Sequence, residues 1–310
     1  MPKAYIAGAL IQTGGAYMAY HIGRLLHLHF GYELVDVHIY EAGAPLFTYD
    51  VPIRTMSIAE MERVINEDDV MVVNPSFSSF LFGLRLPSKK IMYIQDFRTF
   101  LLLDCHFDCY VSVSSLVSRY VNALYNISTP VIPPFIRNVE LPAVLPWRER
   151  PKNSAMVYMK SPSREHQILL QYLRESLPKI DLLHVVEGRD LPQDEFLRVI
   201  GSVRYFVNLS LAEGFGLSPL EAMAMGTMVT GVDGLAGADY MRQGQNALTG
   251  SIKDLRTLSA TIQQAFSDDA LAAHCVEGGF ATAAQYGYAP FKKAWLPVLA
   301  KTLGREPHGA

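Results

Sequence analysis

The sequence predicts an α/β chain of two Rossmann-like domains facing a cleft, and three observations lead there. Short apolar runs alternate with helical periodicities almost from end to end. One proline- and charge-rich stretch interrupts the alternation near the middle. The composition, 50% hydrophobic and 18% charged over 310 residues, with mean hydropathy +0.13, calls for a large buried core and excludes disorder. Strands alternating with helices build parallel sheets covered on both faces, and two such series make two domains.

Residues 4–10 are apolar without helical period, which reads as a strand buried on both faces. That stretch runs straight into Gln12, Thr13, Gly14 and Gly15, the chemistry of a turn and not of a leader's cleavage region. Residues 16–30 follow as a helix, with Met18, Ile22, Leu25, Leu26 and Leu28 at roughly helical spacing. Further strands are expected at 34–39, 70–73, 91–94 and 110–113, with a helix at 116–125 and a break at Pro133 and Pro134. Over 141–154, Pro142, Pro146 and Pro151 stand among Arg148, Glu149, Arg150 and Lys152 with little periodicity, so the linker is predicted there. The second series has strands at 156–159, 182–186, 205–209 and 228–232. Its helices are expected near 168–175, 194–200 and 219–225, before a mostly helical tail from 255.

Charge and cysteine usage narrow the function. A net charge of −3 and a pI near 6.3 leave no basic excess to release counterions, so no nucleic-acid partner is expected. Three cysteines, Cys105, Cys109 and Cys275, make no disulfide framework and fit a reducing, cytoplasmic setting. Cys105, His106, Asp108 and Cys109 lack a second pair at zinc spacing, and no metal is expected. No apolar run approaches the ~18 residues of a membrane span.

The chemistry concentrates in residues 208–246, NLSLAEGFGLSPLEAMAMGTMVTGVDGLAGADYMRQGQN. A strand leads into Gly214 and Gly216, which allow a tight turn and a close approach of backbone to ligand. Ser218 reads as the N-cap of the next helix, Pro219 as its first residue, and Gly226 as its end. A strand, a glycine loop and a helix N-terminus present free N–H groups and a positive dipole end to an anion, most often a pyrophosphate. Glu213 and Glu221 flank that loop. Carboxylates repel phosphate but accept from paired hydroxyls, so the combination reads as a site for a sugar nucleotide. Glu221 is equally the closing residue of a capping box on Ser218.

EGFGLSPLEAMAMG resembles the Glu-x7-Glu signature of the retaining glycosyltransferases of family 4, which have the GT-B fold, and VTGVDGLAGADYMRQGQNAL resembles that family's continuation. The resemblance implies a domain at 1–145 on the acceptor side, one at 150–285 on the donor side, and a helix at 286–310 crossing back to the first. It implies that Glu213 holds hydroxyls of the donor sugar and that Glu221 binds the ribose. The backbone of Gly214, Phe215, Gly216, Leu217 and Ser218 would meet the sugar and diphosphate. The family carries an Arg and a Lys after the first strand of its second domain. Here VYMKSPSREHQ puts Lys160 where the Arg is expected, with Arg164 as the second cation, a departure in spacing and identity. Solvated loop charges are the other reading of that pair.

In the first half, the resemblance puts a donor-lining glycine loop at Gly14 and Gly15, although ordinary turn glycines explain them as well. Many members have a His where this chain has Gln95 and Asp96, which is similar to a subset acting on deoxysugars such as rhamnose. Asp96 is the candidate catalytic residue beside Glu213, and equally a cap for the segment after it. The implied activity is transfer of a sugar from a UDP-, GDP- or dTDP-linked donor to a glycan, lipid-linked sugar or natural product. Configuration would be retained, without metal or cofactor, in the cytoplasm or at the inner face of a membrane through peripheral contact. The alternatives are a GT-B sugar-nucleotide epimerase, a much longer phosphorylase, and a catalytically silent binding module.

Overall fold

The computed structural model describes residues 1–11, 13–38, 49–136, 144–160, 163–177, 180–187 and 191–308, with the main chain alone over 181–187. These form two compact units, Met1–Pro134 with Ala289–Ala310, and Phe135–Tyr288. Each is built on one all-parallel sheet, as the alternation of elements predicts. No helix among the described residues is long and apolar enough to cross a membrane.

The first unit runs β1 (Lys3–Ala7), α1 (Gly14–Phe30), β2 (Glu33–His38), β3 (Ile53–Ser57), α2 (Ile58–Val64), β4 (Val70–Val73), α3 (Phe82–Arg85), β5 (Lys89–Ile94), β6 (Cys109–Ser112) and α4 (Ser115–Tyr125). Its strand order is β3-β2-β1-β4-β5-β6. The order reverses between β1 and β4, the position at which open α/β sheets bind ligands beyond the carboxyl ends of their strands. β1 is buried along most of its length because strands flank it on both edges. Asp36, buried within β2, accepts the Leu10 N–H and ties down the turn after β1. Burial pushes the Asp36 carboxyl above its ordinary range. The terminal helix, Tyr288–Leu303, anchors this unit through Trp295, which meets Tyr93 edge-on at 5.2 Å.

The second unit runs β7 (Ser154–Met159), α5 (Arg164–Ser176), β8 (Asp181–Glu187), α6 (Gln193–Ser202), β9 (Tyr205–Asn208), α7 (Leu217–Ala224), β10 (Met228–Gly231), β11 (Ala247–Thr249), α8 (Leu255–Ser267) and α9 (Asp269–Ala283). Its strand order is β11-β10-β9-β7-β8, with the reversal between β7 and β9. Val157, Tyr205 and Val207 pack from the sheet against Leu258, Ile262 and Cys275 of α8 and α9. The cysteines Cys105, Cys109 and Cys275 are free thiols.

The predicted linker is corrected. Residues 137–143, which include its start, lie outside the described residues, but 144–153 belong to the second unit. Trp147 enters that unit's core and donates its indole N–H to the Arg204 carbonyl at 2.8 Å. Arg150, 3% exposed, donates to the carbonyls of Leu145, Val203 and Met225 and to the Thr227 hydroxyl. Burial pushes its pKa down to about 10. Arg204 stacks on Trp147 at 4.9 Å and donates to the carbonyls of Arg148 and Arg150. Charged residues that looked solvated are inside because a guanidinium's donors satisfy several loop and helix-end carbonyls at once. The division between units falls earlier, at Pro134, where the Ile136 N–H already bonds the Tyr286 carbonyl of the second unit.

Candidate active site

At the strand reversal of the second unit, the chain leaves β7 at Lys160 and β9 at Asn208. Neighbouring turns hold the β9 exit tightly. Asn208 donates to the Val232 carbonyl at 2.7 Å, and the Ser210 hydroxyl accepts the Lys160 N–H at 3.0 Å. Gly231, at φ 106°, lies so close that an added Cβ would stand 2.2 Å from the Asn208 carbonyl oxygen.

This framework positions Glu213. Its N–H donates to the Gly234 carbonyl at 2.8 Å, and its side chain is 5% exposed. The Lys160 ammonium reaches its Oε2 at 2.6 Å, while the lysine side chain keeps 45% of its surface in solvent. The two residues expected to serve sugar and diphosphate are therefore one ion pair across the reversal. Gly234 has no room for a side chain, since a Cβ there would stand 2.9 Å from the Ser210 carbonyl oxygen.

Beyond Glu213, Gly214 leads to Phe215, whose ring packs on Tyr240 at 5.4 Å and on Tyr286 at 5.7 Å. Gly216 then adopts φ 86° and is itself the N-cap of α7. The expected cap is corrected: Ser218 is the second helical residue and Pro219 the third, so the Ser218–Glu221 capping box does not form. The helix starts early because glycine alone takes this left-handed turn without strain and because the Tyr240 hydroxyl holds the Gly216 carbonyl at 2.5 Å. Gly216, as N-cap, offers α7 no side-chain cap among the described residues, and Pro219 has no N–H to satisfy.

Glu221, 9% exposed, accepts from the Gln193 amide at 2.7 Å. Tyr240 is held well above an ordinary phenol pKa, first by burial and then by the negative charges of Glu213, Glu221 and Asp233, so it stays a donor. Gln193, Gly234 and Tyr240 are site residues that sequence reasoning left without a role. The Asp233-Gly234 turn dipeptide was a visible signal; nothing local marks the other two.

Arg164 opens α5 and lines an exposed hollow on that helix with Gln167, Ile168, Gln171 and Arg174. Ser161 and Pro162, which join it to Lys160, lie outside the described residues. The first unit holds the other candidates. Gly14 starts α1 under a cap from the Thr13 hydroxyl, which accepts the Ala16 N–H at 2.9 Å. Gly15 receives the Gln95 amide on its carbonyl at 2.8 Å, and a Cβ there would meet Gln95 Oε1 at 2.2 Å. Asp96 turns onto its own segment: it accepts the Phe97 and Arg98 N–H groups and pairs with the Arg98 guanidinium at 3.0 Å.

Residues 170–282 match the family model described as Glycosyl transferases group 1. That segment contains Glu213, Glu221, Gln193 and Tyr240, and excludes Lys160, Arg164 and the first unit. No curated protein matches the chain. Among solved structures, a TarM variant of S. aureus in complex with fondaparinux, alpha-GlcNAc-glycerol and UDP is similar at TM-score 0.59 and 15% identity. The alignment covers 78% of this chain, which spans 57% of that one. Sucrose-phosphate synthase from Thermosynechococcus elongatus is similar at TM-score 0.70 and 12% identity, over 98% of this chain and 100% of that chain. The apo lipopolysaccharide outer core galactosyltransferase WaaB is similar at TM-score 0.70 and 13% identity, over 97% and 100%. At such identities the likeness concerns the fold, an α/β arrangement of parallel sheets whose neighbours are GT-B glycosyltransferases. The family match is confined to part of the second unit, and the likeness over the rest of the chain is one of fold.

Proposed function

We propose that the chain is a retaining, metal-independent glycosyltransferase that uses a nucleoside diphosphate sugar. The observation that carries this is the Lys160–Glu213 pair at the β7/β9 reversal, beside an α7 N-terminus without a side-chain cap. Departure of the nucleoside diphosphate builds negative charge, and preorganised donors stabilise it without reorganising. The backbone of Gly214, Phe215, Gly216, Leu217 and Ser218 at the helix start supplies such donors, Lys160 supplies a cation, and Arg164 at the head of α5 is a second one.

Glu213 holds hydroxyls of the donor sugar. Its bond to Lys160 occupies one oxygen and leaves the other for ligand. It positions and does not attack, since a carboxylate already neutralised by an ammonium is a poor nucleophile. The acceptor oxygen therefore arrives on the face the diphosphate leaves, and the departing phosphate takes its proton. Glu221, oriented by Gln193, accepts from the ribose hydroxyls. The UDP in the TarM complex favours a uridine donor, and the likeness to WaaB, a lipopolysaccharide outer core galactosyltransferase, favours a glycan acceptor.

The experiment is a thermal-shift screen of UDP-, GDP- and dTDP-sugars, followed by NMR of the product's anomeric centre. A ligand bound only by the native state raises stability by about 2.7 kcal/mol at 100 times its Kd. One donor class is expected to raise Tm by several degrees and give a product of unchanged configuration. Silence from every donor, in both binding and nucleotide release, would sink the reading. An inverted product would remove its stereochemical half.

A further inference from the structure

We infer that Tyr240 is a positioning residue of the donor loop, its hydroxyl fixing the peptide between Gly216 and Leu217 so that the Leu217 N–H faces the ligand. The inference rests on the donor-site reading above and adds a residue to it.

The geometry is local. Tyr240, 3% exposed, donates its hydroxyl to the Gly216 carbonyl at 2.5 Å. In a trans peptide the carbonyl and the following N–H point in opposite directions. Holding the Gly216 carbonyl on the buried phenol therefore turns the Leu217 N–H away from the interior, at the start of α7. Gly216 needs such a hold. At φ 86° and ψ 79° it occupies a region that glycine enters and leaves freely, so without an anchor its peptide would sample other orientations.

The anchor is itself fixed. The Tyr240 ring meets Phe215 at 5.4 Å and Tyr286 at 5.9 Å, a three-ring cluster under the loop. Its carbonyl accepts from the amide of buried Asn246 at 2.8 Å, and Asn246 also bonds the Thr282 hydroxyl at 2.7 Å. The phenol keeps its proton because it is buried near Glu213 and Glu221, both negative.

The test compares Tyr240→Phe with Tyr286→Phe, each removing one hydroxyl from the same cluster while keeping its rings. Ligand-free Tm, kcat, donor KM and acceptor KM are measured for both. The expected result is a fall of roughly tenfold or more in kcat/KM for the donor in Tyr240→Phe, somewhat less than the cost of deleting a direct oxyanion donor. Its acceptor KM stays at the wild-type value, its ligand-free Tm falls by no more than the ordinary worth of one hydrogen bond, and Tyr286→Phe behaves as wild type. Donor kinetics unchanged in Tyr240→Phe would overturn the inference and leave the donor site standing. An equal loss in both variants, or a Tyr240→Phe chain that fails to fold, would also overturn it by making the hydroxyl a packing element. A wild-type protein that binds and turns over no nucleoside diphosphate sugar would remove the donor reading and this inference together.

Discussion

The molecule contains the same local pattern twice, and the two copies are finished differently. In the first unit, β1 passes through glycines into α1; in the second, β9 passes through glycines into α7. The first helix start is closed, with Thr13 capping Ala16 and Gln95 lying on Gly15. The second is open. Glu213 pairs with Lys160, Glu221 accepts from Gln193, and Gly216 at the helix start has no side chain with which to cap it. Glycine spacing alone does not separate a turn from a binding loop. What separates them is whether the chain spends its own side chains on the helix's free N–H groups.

The largest effect expected from that contrast belongs to Glu213. Glu213→Ala should lower kcat by roughly 100- to 1000-fold, about 3–4 kcal/mol, the range seen when a preorganised polar group is removed from a reacting centre. Tm should change little, because the abandoned Lys160 is 45% exposed and rehydrates in place. Steady-state kinetics and calorimetry on one preparation check both halves. Lys160→Met comes next. Turnover should fall by roughly tenfold or more, and stability should also fall, by about 1–3 kcal/mol, because Glu213 is left buried without its cation. A Lys160→Met protein of unaltered donor KM and Tm would show that the second loop is no more committed to charge than the first.

Much of this organisation was legible in the sequence, and the losses have physical causes. β4 is read at its own bounds, and β1 and β9 within a few residues, because strands flanked on both edges are continuous apolar runs. β3 is missed because Ile53–Ser57 is an edge strand, half exposed, without an apolar run; β11 is missed at three residues. Glu213, Glu221 and Lys160 were all recognisable by type, yet the pairing of Lys160 with Glu213 spans 53 positions and no local rule reports it. The start of α7 shows the same thing in miniature. Serine before proline is the better local cap, and a tyrosine 24 positions downstream of Gly216 overrules it. Asp96, chosen for its place at the end of β5, was open to two readings, and in the structure it bonds its own segment.

A smaller effect falls on Gln193. Gln193→Ala should raise donor KM by several-fold, about 1 kcal/mol, the ordinary worth of one hydrogen bond to a charged group less what water restores. With kcat nearly unchanged, the loss would be one of binding alone, as the proposed ribose role of Glu221 requires of the residue bonded to it.

The smallest effect on activity, and the sharpest check on the contrast itself, is Thr13→Ala. Removing an N-cap hydroxyl costs about 1 kcal/mol of stability, because the Ala16 N–H loses its acceptor at the end of a 17-residue helix. If the first loop is closed on itself, that cost appears only in Tm, and donor KM stays at the wild-type value. If donor KM rises in step with the lost cap, Gly14 and Gly15 contact the donor as the family resemblance implies. Denaturation and donor titration of the same variant separate the cases, since a cap lost far from ligand lowers the stability of free and donor-loaded protein by the same amount, whereas a cap lost beside it lowers the loaded form more.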